Sequence, residues 1–203
     1  MTYTDQYKEF LNEFFKEQPD LSILKKLLDE NDIDVNLYRS EYGDTLLNIA
    51  ADDRRDYDLT KLLLEHGADQ EMPLDDENCT VLCNMQFAND GTGYYRIYEE
   101  SIRIVELLLQ YGADPAVVCD NETLFESVTF DLFNEPFDIE YSVIFLTLLI
   151  VYGEDKLKDY IDYKKPFNKN IALAYHFFFK DVGDGYHKTG VIYGPSGDVY
   201  AKL

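Results

Sequence analysis

Residues 42–71 constrain the fold more than any other stretch, because they alternate turns and helices that cannot bury their own apolar side chains. Gly43 can take the positive φ of a tight turn, and Thr45 stands where an N-cap hydroxyl would accept a hydrogen bond from a free amide. A short apolar helix follows, and then a leucine stripe predicts a longer helix that ends at Gly67. Such a pair of helices is stable only when it stacks on copies of itself.

The sequence contains such copies. Two segments, 78–85 and 121–128, align with the first helix and keep a threonine in the N-cap position. Copies of the second helix are recognised by clustered leucines before a turn, and they lie at 21–36, 104–115 and 146–155.

This pattern resembles the ankyrin repeat family, in which G-x-T-P-L-H-x-A precedes a leucine-rich helix that ends in Gly-Ala-Asp. Residues 43–50 (GDTLLNIA) and 62–69 (LLLEHGAD) carry the resemblance best, and 107–114 (LLLQYGAD) follow closely. The departures replace the family's proline (Leu46, Val81, Leu124), its histidine (Asn48, Cys83, Glu126) and, in two copies, its glycine (Asn78, Asn121). The Thr-Pro-Leu-His hydrogen-bonding corner is therefore incomplete in every copy. The resemblance implies an all-α fold, a helical solenoid of about four to five repeats.

We expect one structural domain with three parts. An N-terminal capping helix pair occupies residues 1–36, repeats occupy 37–155, and a C-terminal capping helix with a small β-hairpin occupies 156–203. Two inserts, 86–98 and 129–140, lengthen the joint between the helices of a repeat. Their aromatic side chains either protrude as interface anchors or fold back and widen the core. The hairpin is predicted from Val191–Tyr193 and Val199–Ala201, which flank Gly-Pro-Ser-Gly, and we expect it to lean on a helix at 167–181.

The charge is large and uneven. The chain has 18 Lys and Arg against 40 Asp and Glu, for a net charge of -22. Residues 1–155 carry a net -25, whereas 156–203 carry +3. This balance opposes binding to nucleic acid or an anionic membrane and favours a basic protein partner.

The three cysteines, Cys79, Cys83 and Cys119, predict small buried or half-buried thiols rather than a disulfide framework, which suits a cytoplasmic protein. Metal ligation would need more ligands than these cysteines and His66 supply, so we expect no metal and no cofactor. The N-terminus is polar and acidic, unlike a signal peptide. The apolar run 143–152 is too short to span a membrane and indicates a buried repeat helix.

An enzyme is not expected. No pattern surrounds any carboxylate pair with groups that would shift its pKa, and the three histidines lack a partnered nucleophile. The short glycine-containing segments lack the strand, lysine and helix of a phosphate loop.

Recognition is therefore the predicted activity. The ankyrin resemblance implies binding through the turn tips and first helices, where carboxylates would form an acidic ridge, with Asn48 also at a first-helix end. The predicted partner-binding residues are Glu41, Tyr42, Asp44, Asp52, Asp53, Asp75, Asp76, Glu77, Tyr94, Tyr95, Asp120 and Glu122. The alternative is that this acidity is only a solubilising coat.

Two functional hypotheses follow. The first is a protein that is monomeric when free and occludes a basic partner, similar to the ankyrin-type immunity proteins that bacteria keep against their own toxins. The second is a generic ankyrin scaffold for a peptide or helical partner, in which the charge only maintains solubility.

Overall fold

A computed structural model describes residues 4–74, 78–87, 95–128, 139–157, 191–193 and 199–202. These residues are mostly helical, which confirms the predicted class. The helices are α1 (Asp5–Phe14), α2 (Leu21–Glu30), α3 (Leu46–Asn48), α4 (Tyr57–Glu65), α5 (Val81–Asn84), α6 (Tyr95–Gln110), α7 (described over 124–128) and α8 (Ile139–Leu157). The strands are β1 (Val118–Cys119), β2 (Glu122–Thr123), β3 (Val191–Tyr193) and β4 (Val199–Lys202). A π-helical turn, Ile49–Asp53, continues α3, and a 3₁₀ turn, Met85–Phe87, continues α5.

The N-terminal helices pack against each other and seal one end of the apolar core. Thr4 caps α1 by accepting a hydrogen bond from the Tyr7 amide, as its position predicts, and Asp20 caps α2 in the same way. Phe10 and Phe14 are fully buried, and they join the core cluster through the contact between α1 and α2.

The longer helices pack in chain order, so that α4 lies between α2 and α6, and α6 lies between α4 and α8. Their leucines meet in one apolar cluster that includes Leu63, Leu108 and Leu149, each fully buried. The shorter helices form a second row, in which α3 contacts α5. Each helix thus covers an apolar face that its neighbour cannot bury alone, as the repeat pattern requires.

The turns that precede the short helices need a left-handed residue. Gly43 has φ +93°, and the asparagines that replace it, Asn78 and Asn121, have φ 62° and 64°. Asparagine tolerates this conformation because its short polar side chain can bond locally. The substitution therefore keeps the turn, although it departs from the family pattern.

The loops after the long helices repeat one hydrogen-bonding scheme. Asp34, Asp69 and Asp114 each accept, through the side chain, a hydrogen bond from the amide two residues later. Successive loops are also joined: the side chain of Asn36 accepts from the Asp69 amide at 2.8 Å, and that of Glu71 accepts from the Asp114 amide at 2.8 Å. The recurring aspartate of the Gly-Ala-Asp ending therefore has a structural role.

The corner that the family builds from threonine and histidine is closed here by other residues. Thr45 accepts a hydrogen bond from the Asn48 amide at 3.0 Å. Thr123 and Glu126 form a reciprocal capping box, in which the Glu126 carboxylate accepts from both the amide and the hydroxyl of Thr123. The Thr80 hydroxyl lies 3.7 Å from the Cys83 sulfur. In the repeats that contain Thr45 and Thr123, helix-capping hydrogen bonds therefore take the place of the family's corner.

The helix break expected at Gly153 is present, because Gly153 has a non-helical φ of -125° and kinks α8 before the fully buried Leu157. One other expectation is corrected. Cys79 and Cys119 form a disulfide, whereas the odd cysteine count had suggested free thiols. The sequence could not show that two turns 40 residues apart bring these sulfurs together.

The predicted C-terminal hairpin and the two predicted inserts fall only partly within the described residues. β3 and β4 pair antiparallel at the positions where the hairpin was predicted. The helix expected at 167–181 lies outside the described residues, as do most of the two inserts. Of the first insert, residues 95–98 extend the N-terminus of α6, and of the second, residues 139–140 begin α8. The solenoid, the repeat count and the three-part division of the chain stay predictions.

Candidate interaction surface

The turn tip at residues 40–44 is held by a compact set of hydrogen bonds around Ser40. The Ser40 hydroxyl accepts hydrogen bonds from the amides of Tyr42 and Asp44 at 3.1 and 3.0 Å, and it donates to the Asp44 carboxylate at 2.9 Å. Arg39 donates to the Gly43 carbonyl at 2.8 Å. The tip therefore presents Glu41 and Tyr42 to solvent, with Tyr42 82% exposed. A rigid, exposed tyrosine is a typical interface anchor.

Asp44 is a structural member of this tip. One of its carboxylate oxygens accepts from Ser40, and the other accepts from the Asn48 side-chain amide at 3.0 Å. Asn48 is 1% exposed, so it supports Asp44 from inside and does not line the surface, contrary to the expectation from its place at a first-helix end. Its carbonyl oxygen accepts a hydrogen bond from Asn84.

Asp52 and Asp53 lie at the end of the π-helical turn, close to Asp44. Burial raises the pKa of Asp52 to about 6, and the charges of Asp53 and Asp44 add to this effect, whereas Arg55 opposes it. Burial also raises the pKa of Asp53, again with a contribution from Asp44. In the described part of the chain, neither carboxylate has a hydrogen-bond or ion-pair partner. Three carboxylates thus share a small region, in which the charges of Arg54 and Arg55 offset only part of the rise in the pKa values of Asp53 and Asp52.

A second tip is formed by the β1–β2 hairpin. Asp120 and Asn121 both have positive φ, as the type I′ turn of a two-residue hairpin requires, and Cys119 pairs with Glu122 across it. Asp120 and Glu122 are exposed. Val118, which the sequence analysis did not select, is 47% exposed beside them. The strands are only two residues long, so their alternation gives too short a pattern to predict which side chains face solvent.

Contacts link neighbouring turn tips to each other in chain order. The Cβ position of Gly43 abuts the Leu74 carbonyl, the Leu74 amide donates to the Cys79 carbonyl at 2.8 Å, and Cys79 is bonded to Cys119. The tip at 40–44 is therefore connected, through the segment around Leu74 and Cys79, to the tip at 118–123.

The predicted partner-binding residues divide into three groups. The exposed ones are Glu41, Tyr42, Asp53, Asp120 and Glu122, and the half-buried ones are Asp44 and Asp52. Asp75, Asp76, Glu77 and Tyr94 lie outside the described residues, and Tyr95 is described only as the first residue of α6.

Neither a metal site nor a membrane-spanning helix is found among the described residues. Across the described ranges, no group of three or more His, Cys, Asp or Glu side chains is placed to hold a metal ion. Within the same residues, no helix combines the length and apolarity needed to cross a bilayer.

Comparison with known proteins agrees with the helical pairs described above. Residues 42–73 match the profile of the ankyrin repeat, which supports an ankyrin repeat protein. The comparison with curated proteins found no match. Ankyrin repeats generally mediate protein–protein interaction, and proteins built from them are generally non-enzymatic scaffolds. Protein binding by this chain and the absence of catalysis stay predictions.

Proposed function

We propose that this chain is an ankyrin-type solenoid of four to five repeats that binds a basic protein along its turn tips. In this proposal, residues 1–36 and 156–203 cap the stack, and residues 37–155 carry the binding surface. The surface consists of the exposed acidic tips, the Asp52–Asp53 pair and Tyr42.

The observation that carries the proposal is that Asp52 and Asp53 have no hydrogen-bond or ion-pair partner within the described residues, and that the charges of Arg54 and Arg55 offset the rise in their pKa values only in part. A half-buried carboxylate without a hydrogen bond or ion pair destabilises the folded chain, as the raised pKa of Asp52 indicates. A lysine or arginine from a partner would supply the missing charge and gain a charge-assisted hydrogen bond. The neighbouring Tyr42 supplies apolar contact area on a rigid turn.

We further propose that binding occludes the partner, in the manner of an immunity protein that covers the basic cleft of a cognate bacterial toxin. A nuclease cleft is shaped to bind phosphates, and closely placed carboxylates imitate that charge. Complementary charge would act mainly on the association rate, which would fall steeply with ionic strength.

The decisive experiment measures the association rate of the purified chain with the product of the adjacent reading frame. The first variant reverses Asp75, Asp76 and Glu77 to lysine, and the second is Asp52→Asn with Asp53→Asn. The matched control reverses Glu9, Glu17 and Asp32, which are exposed and lie away from the tips. We expect the tip reversal to slow association at least about tenfold at low salt, and the control to change it much less. Equal effects of tip and control reversals would contradict a specific acidic surface.

The alternative function is a scaffold for an apolar peptide or helix. The exposed side chains of Tyr42 and Val118, at 82% and 47%, favour it because they offer apolar contacts on two tips. A scaffold of this kind should lose affinity on Tyr42→Ala and keep its association rate when the tip carboxylates are reversed. The carboxylate reversal therefore separates the two hypotheses, because only a chain that binds a basic protein through its tips should associate more slowly after it.

A further inference from the structure

The Cys79–Cys119 disulfide joins two turn tips across 40 residues of sequence, with the two Cα atoms 4.7 Å apart. Cys79 immediately precedes Thr80, the N-cap of α5. Cys119 is the last residue of β1 and opens the type I′ turn. The bond therefore sets the spacing between the tips of two successive units.

The bond lies beside the main apolar cluster, with Cys79 buried and Cys119 half-buried. The core cluster holds the units together through residues such as Leu82, Leu108 and Phe125, and neither bonded cysteine belongs to it. Each tip is also closed by its own backbone hydrogen bonds, from the Leu74 amide to the Cys79 carbonyl at 2.8 Å and from the Leu124 amide to the Val117 carbonyl at 2.9 Å. Loss of the bond should thus release the tips from each other and leave the stacked helices in place.

Like charges flank both ends of the bond. Asp75, Asp76 and Glu77 precede Cys79 in the sequence, and Asp120 and Glu122 follow Cys119. Carboxylates of equal charge repel when two tips are held together, and without a covalent link this repulsion favours a wider spacing. The bond opposes that repulsion.

We propose that Cys79 and Cys119 are a reversible thiol-modification site, which a low-molecular-weight disulfide such as oxidised glutathione closes and the matching thiol opens. Cys119 is half-buried on a surface hairpin and Cys79 is buried, so Cys119 is the more accessible of the two residues to a small reagent. The Cys119 thiolate attacks one sulfur of the reagent and releases one thiol, which leaves a mixed disulfide. The Cys79 thiolate then attacks the Cys119 sulfur, the second reagent thiol leaves, and it takes up a proton. Two protein thiols are oxidised and one reagent disulfide is reduced to two thiols.

Cys83 provides an internal control. It lies in α5, four residues after Cys79, it is buried, and it is not part of the disulfide. A reagent that simply oxidised any cysteine of this segment would also modify Cys83, whereas the proposed site leaves it reduced.

The test uses the full chain equilibrated with defined ratios of oxidised and reduced glutathione, then trapped by alkylation and analysed by mass spectrometry. After unfolding and alkylation, the oxidised chain should carry one alkyl group, on Cys83, and the reduced chain should carry three. Native hydrogen exchange should show that reduction removes more protection at the Leu74 and Leu124 amides than at Leu63 in the core. Cys79→Ser and Cys119→Ser should each reproduce the reduced pattern, and Cys83→Ser should keep the full response.

Two results would overturn the proposal. One is the absence of the Cys79–Cys119 bond at every glutathione ratio while the chain remains folded. The other is equal protection of Leu74 and Leu124 in the oxidised and reduced chains. Both readouts are independent of any partner, so failure of the proposed function leaves this test unchanged.

Discussion

The side-chain amide of Asn84 donates a hydrogen bond to the side-chain carbonyl of Asn48 at 3.2 Å. Asn48 in turn donates to the Asp44 carboxylate at 3.0 Å, so a polar chain runs from the start of one short helix to the next. Asn48 occupies the position of the histidine in the family pattern. The link between neighbouring units is therefore made here by amides, which keep their hydrogen-bonding capacity at every pH at which the protein folds.

Substitution of Asn48 tests this polar chain. Asn48→Ala removes one hydrogen bond each from the half-buried side chains of Asp44 and Asn84, and we expect a loss of about 1–3 kcal/mol in the free energy of unfolding. Chemical denaturation measures this loss. A double-mutant cycle with Asn84→Ala should give a coupling energy above about 0.5 kcal/mol. Strict additivity of the two substitutions would show that the contact contributes nothing.

Asp52→Asn should stabilise the protein at neutral pH. Burial raises the pKa of Asp52 from 3.8 to about 6, so the folded chain holds this proton more tightly than the unfolded chain does. The free energy of unfolding therefore falls as the pH rises from about 4 to about 6. Above that range, the ionised Asp52 carboxylate destabilises the folded chain by the full amount. Because the carboxyl is only half-buried and partly screened by water, we expect a gain of about 1 kcal/mol at pH 7.

The gain from Asp52→Asn should disappear as the pH is lowered below about 4, where both states are protonated. Thermal unfolding across this pH range measures it. Asp53→Asn serves as the comparison, with a smaller gain because Asp53 is more exposed. If Asp52→Asn instead destabilised the chain at pH 7, the carboxylate would have a stabilising partner and the proposed binding surface would lose its main support.

Alanine at Gly43 and at Gly67 should differ sharply in effect. Both glycines have positive φ, 93° and 81°, so each substitution carries the backbone cost of a left-handed residue, about 1–2 kcal/mol. At Gly43 the added Cβ also overlaps the Leu74 carbonyl, whereas at Gly67 it meets nothing within 4 Å. We therefore expect Gly43→Ala to be the more destabilising in thermal unfolding. Equal effects of the two substitutions would show that the turn at Gly43 does not contact the segment at Leu74.

The contact between His66 and Asp29 should make the free energy of unfolding depend on pH in the acidic range. The His66 Nδ1 atom lies 2.8 Å from the Leu62 carbonyl, and Nε2 lies 3.0 Å from the Asp29 carboxylate, so this side chain bridges α2 and the end of α4. The hydrogen bond with His66, followed by that with Lys25, lowers the pKa of Asp29. A carboxyl group whose pKa is lowered by folding stabilises the folded chain at any pH above its pKa in the unfolded chain, about 4. This stabilisation is lost as the pH falls through the lower pKa of the folded chain.

Asp29→Asn should therefore lower the unfolding midpoint at pH 6, and the difference from the parent should narrow as the pH falls below about 4. Asp32→Asn is the matched control, since Asp32 is exposed in the next turn, and we expect it to leave the pH profile unchanged. A difference that stays constant with pH would assign the effect of Asp29→Asn to packing instead of charge.

Much of the local structure was predictable from sequence. Thr4 and Thr45 cap their helices as their positions indicate, because capping is an interaction among neighbouring residues. Gly43 and Gly67 adopt the positive φ expected of turn residues. Of the candidate site, the exposure of Tyr42 and Asp120 follows from their place at turn tips, where the chain has few neighbours.

Local pattern was insufficient wherever burial or long-range contact decided the outcome. Asn48 was expected at the surface and is buried, because the next short helix packs over it and Asn84 satisfies its carbonyl. Asp52 and Asp53 were predicted as exposed acids, but the π-helical turn brings Asp52 partly into the structure beside Asp44.

By itself, the sequence determined the alternation of turns and helices, the caps, the left-handed positions and the acidic character of the tips, since each depends on residues a few positions apart. Only the tertiary structure decided which carboxylates lack a partner and which cysteines meet. Both depend on how one unit seats on the next, and side chains 40 residues apart in the chain come into contact only when the apolar faces between them have been buried.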